Sequence, residues 1–250
     1  NNICFGDSLG SATVTPSGGV TPYTYNWNDP QSQTDSTVTG LLTGTFTVTV
    51  TDFGNCQAVT NITITAPSQL ILITFSTDVL CFGGSSGSAT VAPGGGTPPY
   101  TYLWNDAFTQ TNSTATGLPT GNYSVTVTDN NSCTSTSSVF VNQPALVVAS
   151  VPSFTDLLCY GDSNGTINIT PSGGNDSLAI SWSNGNSATN QTGLTSGNYS
   201  VTMTDSKGCS GTQAVLISEP AIFLASITKT DIMCNGNSDG TVAAAAAGGT

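Results

Sequence analysis

Histidine is absent from this chain of 250 residues, and Lys207 and Lys229 are its only basic side chains. Without histidine, no Ser or Cys has a base beside it for nucleophilic catalysis, and the commonest metal ligand is missing. Charge of either sign is sparse, 6% of residues against about 25% in ordinary domains. Fourteen acids against two bases give a formal net charge of −12. Nucleic acid, whose phosphates need basic partners, is therefore excluded as a ligand, and anionic membrane surfaces are disfavoured for the same reason. No apolar run approaches the length needed to cross a bilayer, so direct membrane insertion is not expected. Trypsin-like proteases find almost nothing to cut.

What is present is repetition. The phrases CFGDSLGSATVTPSGG, CFGGSSGSATVAPGGG, CYGDSNGTINITPSGG and CNGNSDGTVAAAAAGG are four copies of one text. Their leading cysteines Cys4, Cys81, Cys159 and Cys234 are 77, 78 and 75 residues apart. A fixed period of this kind signifies a tandem array, and arrays more often span distance or present a surface many times than build one catalytic pocket. The expected division is repeat 1 over 1–67 (first strand missing), repeat 2 over 68–144, repeat 3 over 145–220 and the start of a fourth over 221–250. The chain reads as a piece of a longer polymer. Each unit is near the lower limit for a self-sufficient core.

A second cysteine follows the first in each repeat: Cys56, Cys133 and Cys209, at separations of 52, 52 and 50. This regularity suggests one bridge per repeat, Cys4–Cys56, Cys81–Cys133 and Cys159–Cys209, with the partner of Cys234 outside the chain. Zinc would want clustered C-x-x-C pairs or histidines, and neither exists here. Disulfides imply an oxidising compartment.

Apolar residues alternate with Thr and Ser at period two. Repeat 2 shows Tyr100, Tyr102 and Trp104, then Tyr123, Val125 and Val127. Repeat 1 aligns Trp27 and Phe46 with these, and repeat 3 aligns Trp182 and Tyr199. These six, Trp27, Trp104, Trp182, Phe46, Tyr123 and Tyr199, are the expected core anchors. Turn signals such as Asn184-Gly185 separate the runs. Ala243–Ala247 looks helical in isolation, but its register matches Thr90–Gly94, which makes it strand. A Trp on a middle strand, followed by L-x-x-G-x-Y at the head of a valine strand, predicts an all-β tandem array of Ig-like β-sandwiches with a tyrosine corner. Short Pro junctions at 67, 144 and 220 leave little slack, so the array is expected to be rod-like.

The pattern C-x-G-x-x-x-G-x-A-x-V…GG-x-x-P-Y-x-Y-x-W…G-L-x-x-G-x-Y-x-V-x-V-x-D…C…P resembles the SprB-type repeat of very long cell-surface adhesins of gliding Bacteroidetes. Repeat 3 departs from it where Asp176-Ser177-Leu178-Ala179-Ile180 replaces P-Y-x-Y. The resemblance implies an extracellular, outer-membrane-attached protein exported by type IX secretion. It implies partners in the gliding and secretion machinery, and contact with external surfaces or polysaccharide. The expected role is a non-enzymatic stalk segment. The alternatives are a polysaccharide-binding module acting by avidity and the stalk of a secreted multidomain enzyme.

No cofactor is expected. Calcium, which takes six to eight oxygens, has weak candidates in Asp162 and Asp205, should a disulfide gather their loops; the simpler reading is that Asp52, Asp129 and Asp205 shape hairpin turns. The N-x-S/T frames, such as those at Asn61, Asn112 and Asn164, are what a Ser/Thr-rich chain produces by chance. The family resemblance adds possible O-glycosylation in short D-S/T-apolar frames, at Ser8, Ser36 and Ser177. The aromatics Phe5, Phe82 and Tyr160, each beside a leading cysteine, are candidates for sugar contact or for capping a sandwich end.

Overall fold

A computed structural model describes residues 1–249, and among them every regular element is a β-strand. Repeat 1 holds β1 (Gly10–Thr13), β2 (Thr24–Trp27), β3 (Thr37–Leu41), β4 (Gly44–Thr51) and β5 (Gln57–Ile64). Repeat 2 holds β6 (Ile71–Thr77), β7 (Gly87–Gly94), β8 (Thr101–Trp104), β9 (Thr114–Leu118), β10 (Gly121–Thr128) and β11 (Thr134–Val141). Repeat 3 follows with β12 (Ala145–Thr155), β13 (Gly165–Gly174), β14 (Ala179–Trp182), β15 (Asn190–Leu194), β16 (Gly197–Thr204) and β17 (Ser210–Ile217). A hairpin of β18 (Ala221–Thr230) and β19 (Thr241–Gly249) begins the fourth, with Thr250 outside the described residues. Ala243–Ala247 lies in β19, as its register requires.

Repeat 2 forms two antiparallel sheets, β6-β7-β9 and β8-β10-β11, and repeat 3 forms β12-β13-β15 and β14-β16-β17. In Ig lettering these are A-B-E and C-F-G, an immunoglobulin sandwich without strand D. Repeat 1 has β2-β4-β5 facing the two-stranded β1-β3, with no counterpart of β6. The period-two pattern explains the pairing. Along β10, Val125 and Val127 are buried while their Thr neighbours face outward, and Val125 lies opposite Trp104 on β8.

Trp27, Trp104 and Trp182 are buried, and each indole donates to a backbone carbonyl: Asp35 at 3.0 Å, Asn112 at 2.9 Å and Ala188 at 2.9 Å. In repeat 1 the Trp27 cluster includes Val38, Leu41, Phe46 and Ile64. In repeat 3 the Trp182 cluster includes Ile167, Leu194, Met203 and Ile217. Phe46 is inside, but Tyr123 and Tyr199 are only half-buried. They stand at the rim because each hydroxyl needs a partner: Tyr123 donates to Pro119 O at 2.9 Å and Tyr199 to Thr195 O at 3.1 Å. That is the tyrosine corner, which Phe46 occupies without a hydrogen bond in repeat 1.

The chain divides into two compact units, Asn1–Asp78 with Ser85–Asn142, and Val79–Gly84 with Gln143–Thr250.

Candidate functional site: a clasp built from two cysteine-bearing loops

The leading cysteine of a repeat lies in the loop between its first two strands. The second lies in the turn between its last two. In repeat 2 these loops are at opposite ends of one sandwich. Cys81 precedes Gly87, where β7 starts; the turn carrying Cys133 bonds Thr97, just past the end of β7 (Asp129 Oδ2 accepts from Thr97 N at 2.8 Å). The eight residues of β7 between them span roughly 25 Å, whereas a disulfide needs Cα atoms within about 7 Å. A bridge within one repeat is therefore impossible.

The structure instead joins Cys4 to Cys133, with Cα atoms 5.7 Å apart, and Cys81 to Cys209, 5.4 Å apart. This corrects the expected pairs Cys4–Cys56, Cys81–Cys133 and Cys159–Cys209. Each bridge links the first loop of one repeat to the last turn of the next. Cys56, Cys159 and Cys234 are exposed free thiols.

A carboxylate shapes each clasp. Asp129 Oδ1 accepts from Asn131 N and Cys133 N, both at 2.9 Å. Asp205 Oδ1 accepts from Lys207 N and Cys209 N at 2.9 Å, and its Oδ2 takes the backbone and side-chain amides of Asn175 at 2.9 and 2.8 Å. Burial pushes both carboxyls up, but these N–H donors outweigh it. Asp129 is held below the ordinary 3.8, and Asp205 is pulled down to about 2. Asp52 is lowered in the same way, by Val20 N and Cys56 N.

A side-chain amide then reaches across each junction to the residue before the leading cysteine. Asn131 Nδ2 donates to Ile3 O at 3.0 Å, and Asn175 Nδ2 to Leu80 O at 2.9 Å. The two asparagines come from different loops, one from the cysteine turn and one from the segment after the paired glycines. The start of the next first strand closes the far side. A cavity of about 240 Å³ at the first clasp is lined by Cys4, Phe5, Pro67, Leu70, Asp129 and Cys133. Gly83 N donates to Gln143 Oε1 at 2.8 Å at the second.

Asp162 and Asp205 lie in loops that no bridge gathers: the Asp205 turn meets Cys81, beside Gly84-Ser85, while Asp162 Oδ2 accepts from Cys159 N at 3.2 Å. Among the described residues no three His, Cys, Asp or Glu side chains come together as a metal site. Ser8, Ser36 and Ser177 are exposed, as are Phe5, Phe82 and Tyr160.

Sequence reasoning missed the clasp although a signal was there. Bridge spans of 129 and 128 residues are as regular as the separations within a repeat, and spacing alone does not choose between the two sets.

Residues 1–32, 73–109 and 151–187 match the family model of the SprB repeat. No curated protein matches the chain. Among solved structures, the eight N-terminal Ig domains of Down Syndrome Cell Adhesion Molecule share 12% identity at a TM-score of 0.35, covering 91% of this chain and 39% of that one. The chain thus spans well under half of that structure's length. A tetra-tandem repeat from the extending region of a large adhesion protein shares 15% identity at a TM-score of 0.28, covering 95% and 83%. The amphioxus IgVJ-C2 molecule shares 13% at 0.28, covering 55% and 98%. The sandwich assignment rests on strand order, to which likenesses this low add nothing.

Proposed function

We propose that this chain is a non-catalytic structural segment of a large extracellular cell-surface adhesin, holding a distant tip away from the cell and transmitting traction. The single observation that carries this reading is the clasp: successive repeats are tied covalently across their junctions, which suits a part that must resist being pulled apart. The three SprB repeat matches support the same reading. Following the family, the parent protein would leave by type IX secretion, attach to the outer membrane and move with the gliding machinery. The bridges fit an oxidising extracellular setting.

A stalk must keep its ends apart. Strands of seven to ten residues make each sandwich about 25–35 Å long, so three repeats in line would reach on the order of 100 Å. Small-angle scattering on the oxidised chain measures this. A compact particle near about 60 Å would defeat the stalk and favour a globular binding assembly.

The second reading, polysaccharide binding by avidity, draws on the exposed aromatic that recurs after each of the first three leading cysteines, Phe5, Phe82 and Tyr160. A glycan array at high valency tests it.

A further inference from the structure

The two bridges do more than tie neighbouring repeats. The bond between Cys4 and Cys133 makes one covalent node, and the bond between Cys81 and Cys209 makes another. Three stretches of backbone connect these nodes in parallel: 77 residues from Cys4 to Cys81, 52 from Cys81 to Cys133, and 76 from Cys133 to Cys209. The pattern follows from the sandwich. A repeat puts its leading cysteine and its turn cysteine at opposite ends, so each bridge must reach outside its own repeat. The first stretch carries β1 to β6, the second β7 to β10, and the third β11 to β16.

Parallel stretches of unequal length cannot all be drawn tight. An extended chain reaches at most about 3.5 Å per residue. The middle stretch therefore stops the nodes at about 180 Å apart, when the outer two still hold 25 and 24 residues of slack. Without bridges, the 205 residues from Cys4 to Cys209 would draw out to about 720 Å. The order of loading follows as well. While β7 to β10 stay folded, the nodes are held at the two ends of one sandwich, and neither outer stretch has to open for load to pass. Forced unfolding is set by an unfolding rate, so the strands on the shortest route decide what gives first.

We propose that the crossed bridges are an extension stop. Under tension the load runs from node to node through β7 to β10, the strands of the outer stretches are shielded, and stretching ends at about a quarter of the backbone length between Cys4 and Cys209. The use of such a stop rests on the traction-carrying role proposed above; the stop itself rests on the bridge pattern alone.

Single-molecule force spectroscopy on the full chain, held by handles at its two ends, tests this with and without dithiothreitol. Complete unfolding should end about 540 Å earlier in the oxidised chain than in the reduced one. Bridges within repeats would hide a similar length, so two insertion variants separate the patterns. A flexible linker of about 20 residues goes into the β8–β9 loop after Phe108, or into the corresponding β14–β15 loop after Ser187. Both sites are exposed, and this loop already differs in length, nine residues over 105–113 and seven over 183–189. The linker after Phe108 should lengthen the oxidised chain by about 70 Å. The linker after Ser187 should add nothing, because its stretch is already slack. Equal lengths for the oxidised and reduced parent overturn the proposal. So does an oxidised chain that is lengthened by the linker after Ser187, or by neither linker. Should a linker prevent folding, peptide mapping of the oxidised parent decides, and bridges within repeats overturn the proposal. A compact particle in small-angle scattering together with the expected lengths would reject the stalk and leave the stop standing.

Discussion

The side-chain amide of Asn131 donates to the backbone carbonyl of Ile3, 128 residues upstream, at 3.0 Å. The hydrogen bond sits beside the bridge between Cys4 and Cys133 and fixes the approach of the two loops that carry them.

Replacing Cys4 and Cys133 together by Ser removes a loop closure of 129 residues. In the chain-entropy model this costs about 5 kcal/mol. Denaturant unfolding of the oxidised double variant should show the loss, and non-reducing peptide mapping of the parent should recover Cys4–Cys133 and Cys81–Cys209. A loss under about 1 kcal/mol, or peptides bridged within a repeat, would count against the clasp.

Trp104→Ala empties a core site where the indole is only 1% exposed. We expect about 3–5 kcal/mol of destabilisation, read from the shift in denaturant midpoint at constant slope.

Tyr123→Phe should cost far less, about 0.5–1.5 kcal/mol, because it removes one hydrogen bond to Pro119 O and no packing. Repeat 1 already carries Phe46 in this corner. A loss above about 3 kcal/mol would mean that the corner organises more than its own loop.

Acid should weaken the second clasp. The carboxyl of Asp205 is held at about 2 in the folded chain, below the ordinary 3.8. A group with a depressed folded value contributes fully above its unfolded value, and that contribution drains away as the pH falls through the folded one. Unfolding followed from pH 6 down to about 2 should show stability dropping below about 4, and Asp205→Asn should flatten that drop while lowering stability at neutral pH. Parallel pH curves for the two proteins would refute the assignment.

The period-two alternation and the Trp and L-x-x-G-x-Y landmarks were enough to read the sandwich, because strand burial is written in neighbouring side chains. The clasp was not legible in the same way. Which of two evenly spaced cysteines meets Cys4 depends on which end of the sandwich each loop occupies, and that follows from strand order, not from spacing. The amides were hidden for a related reason. Asn131 and Asn175 occupy different loops of their repeats, so no shared motif marks the two, although both serve the carbonyl before a leading cysteine. The aspartates were legible as turn residues, and the structure adds that one oxygen of each of Asp129 and Asp205 holds the segment after the paired glycines.

The two bridges overlap along the chain, 4 to 133 and 81 to 209. A single backbone cut anywhere between Cys4 and Cys209 therefore severs nothing: the fragments on either side stay fastened by one bridge or the other. Bridges confined to their own repeats would have left the stretches around Pro67 and Pro144 as points where one nick parts the molecule. With the overlapping pattern, a single protease cut sheds no length of this region until a reductant follows.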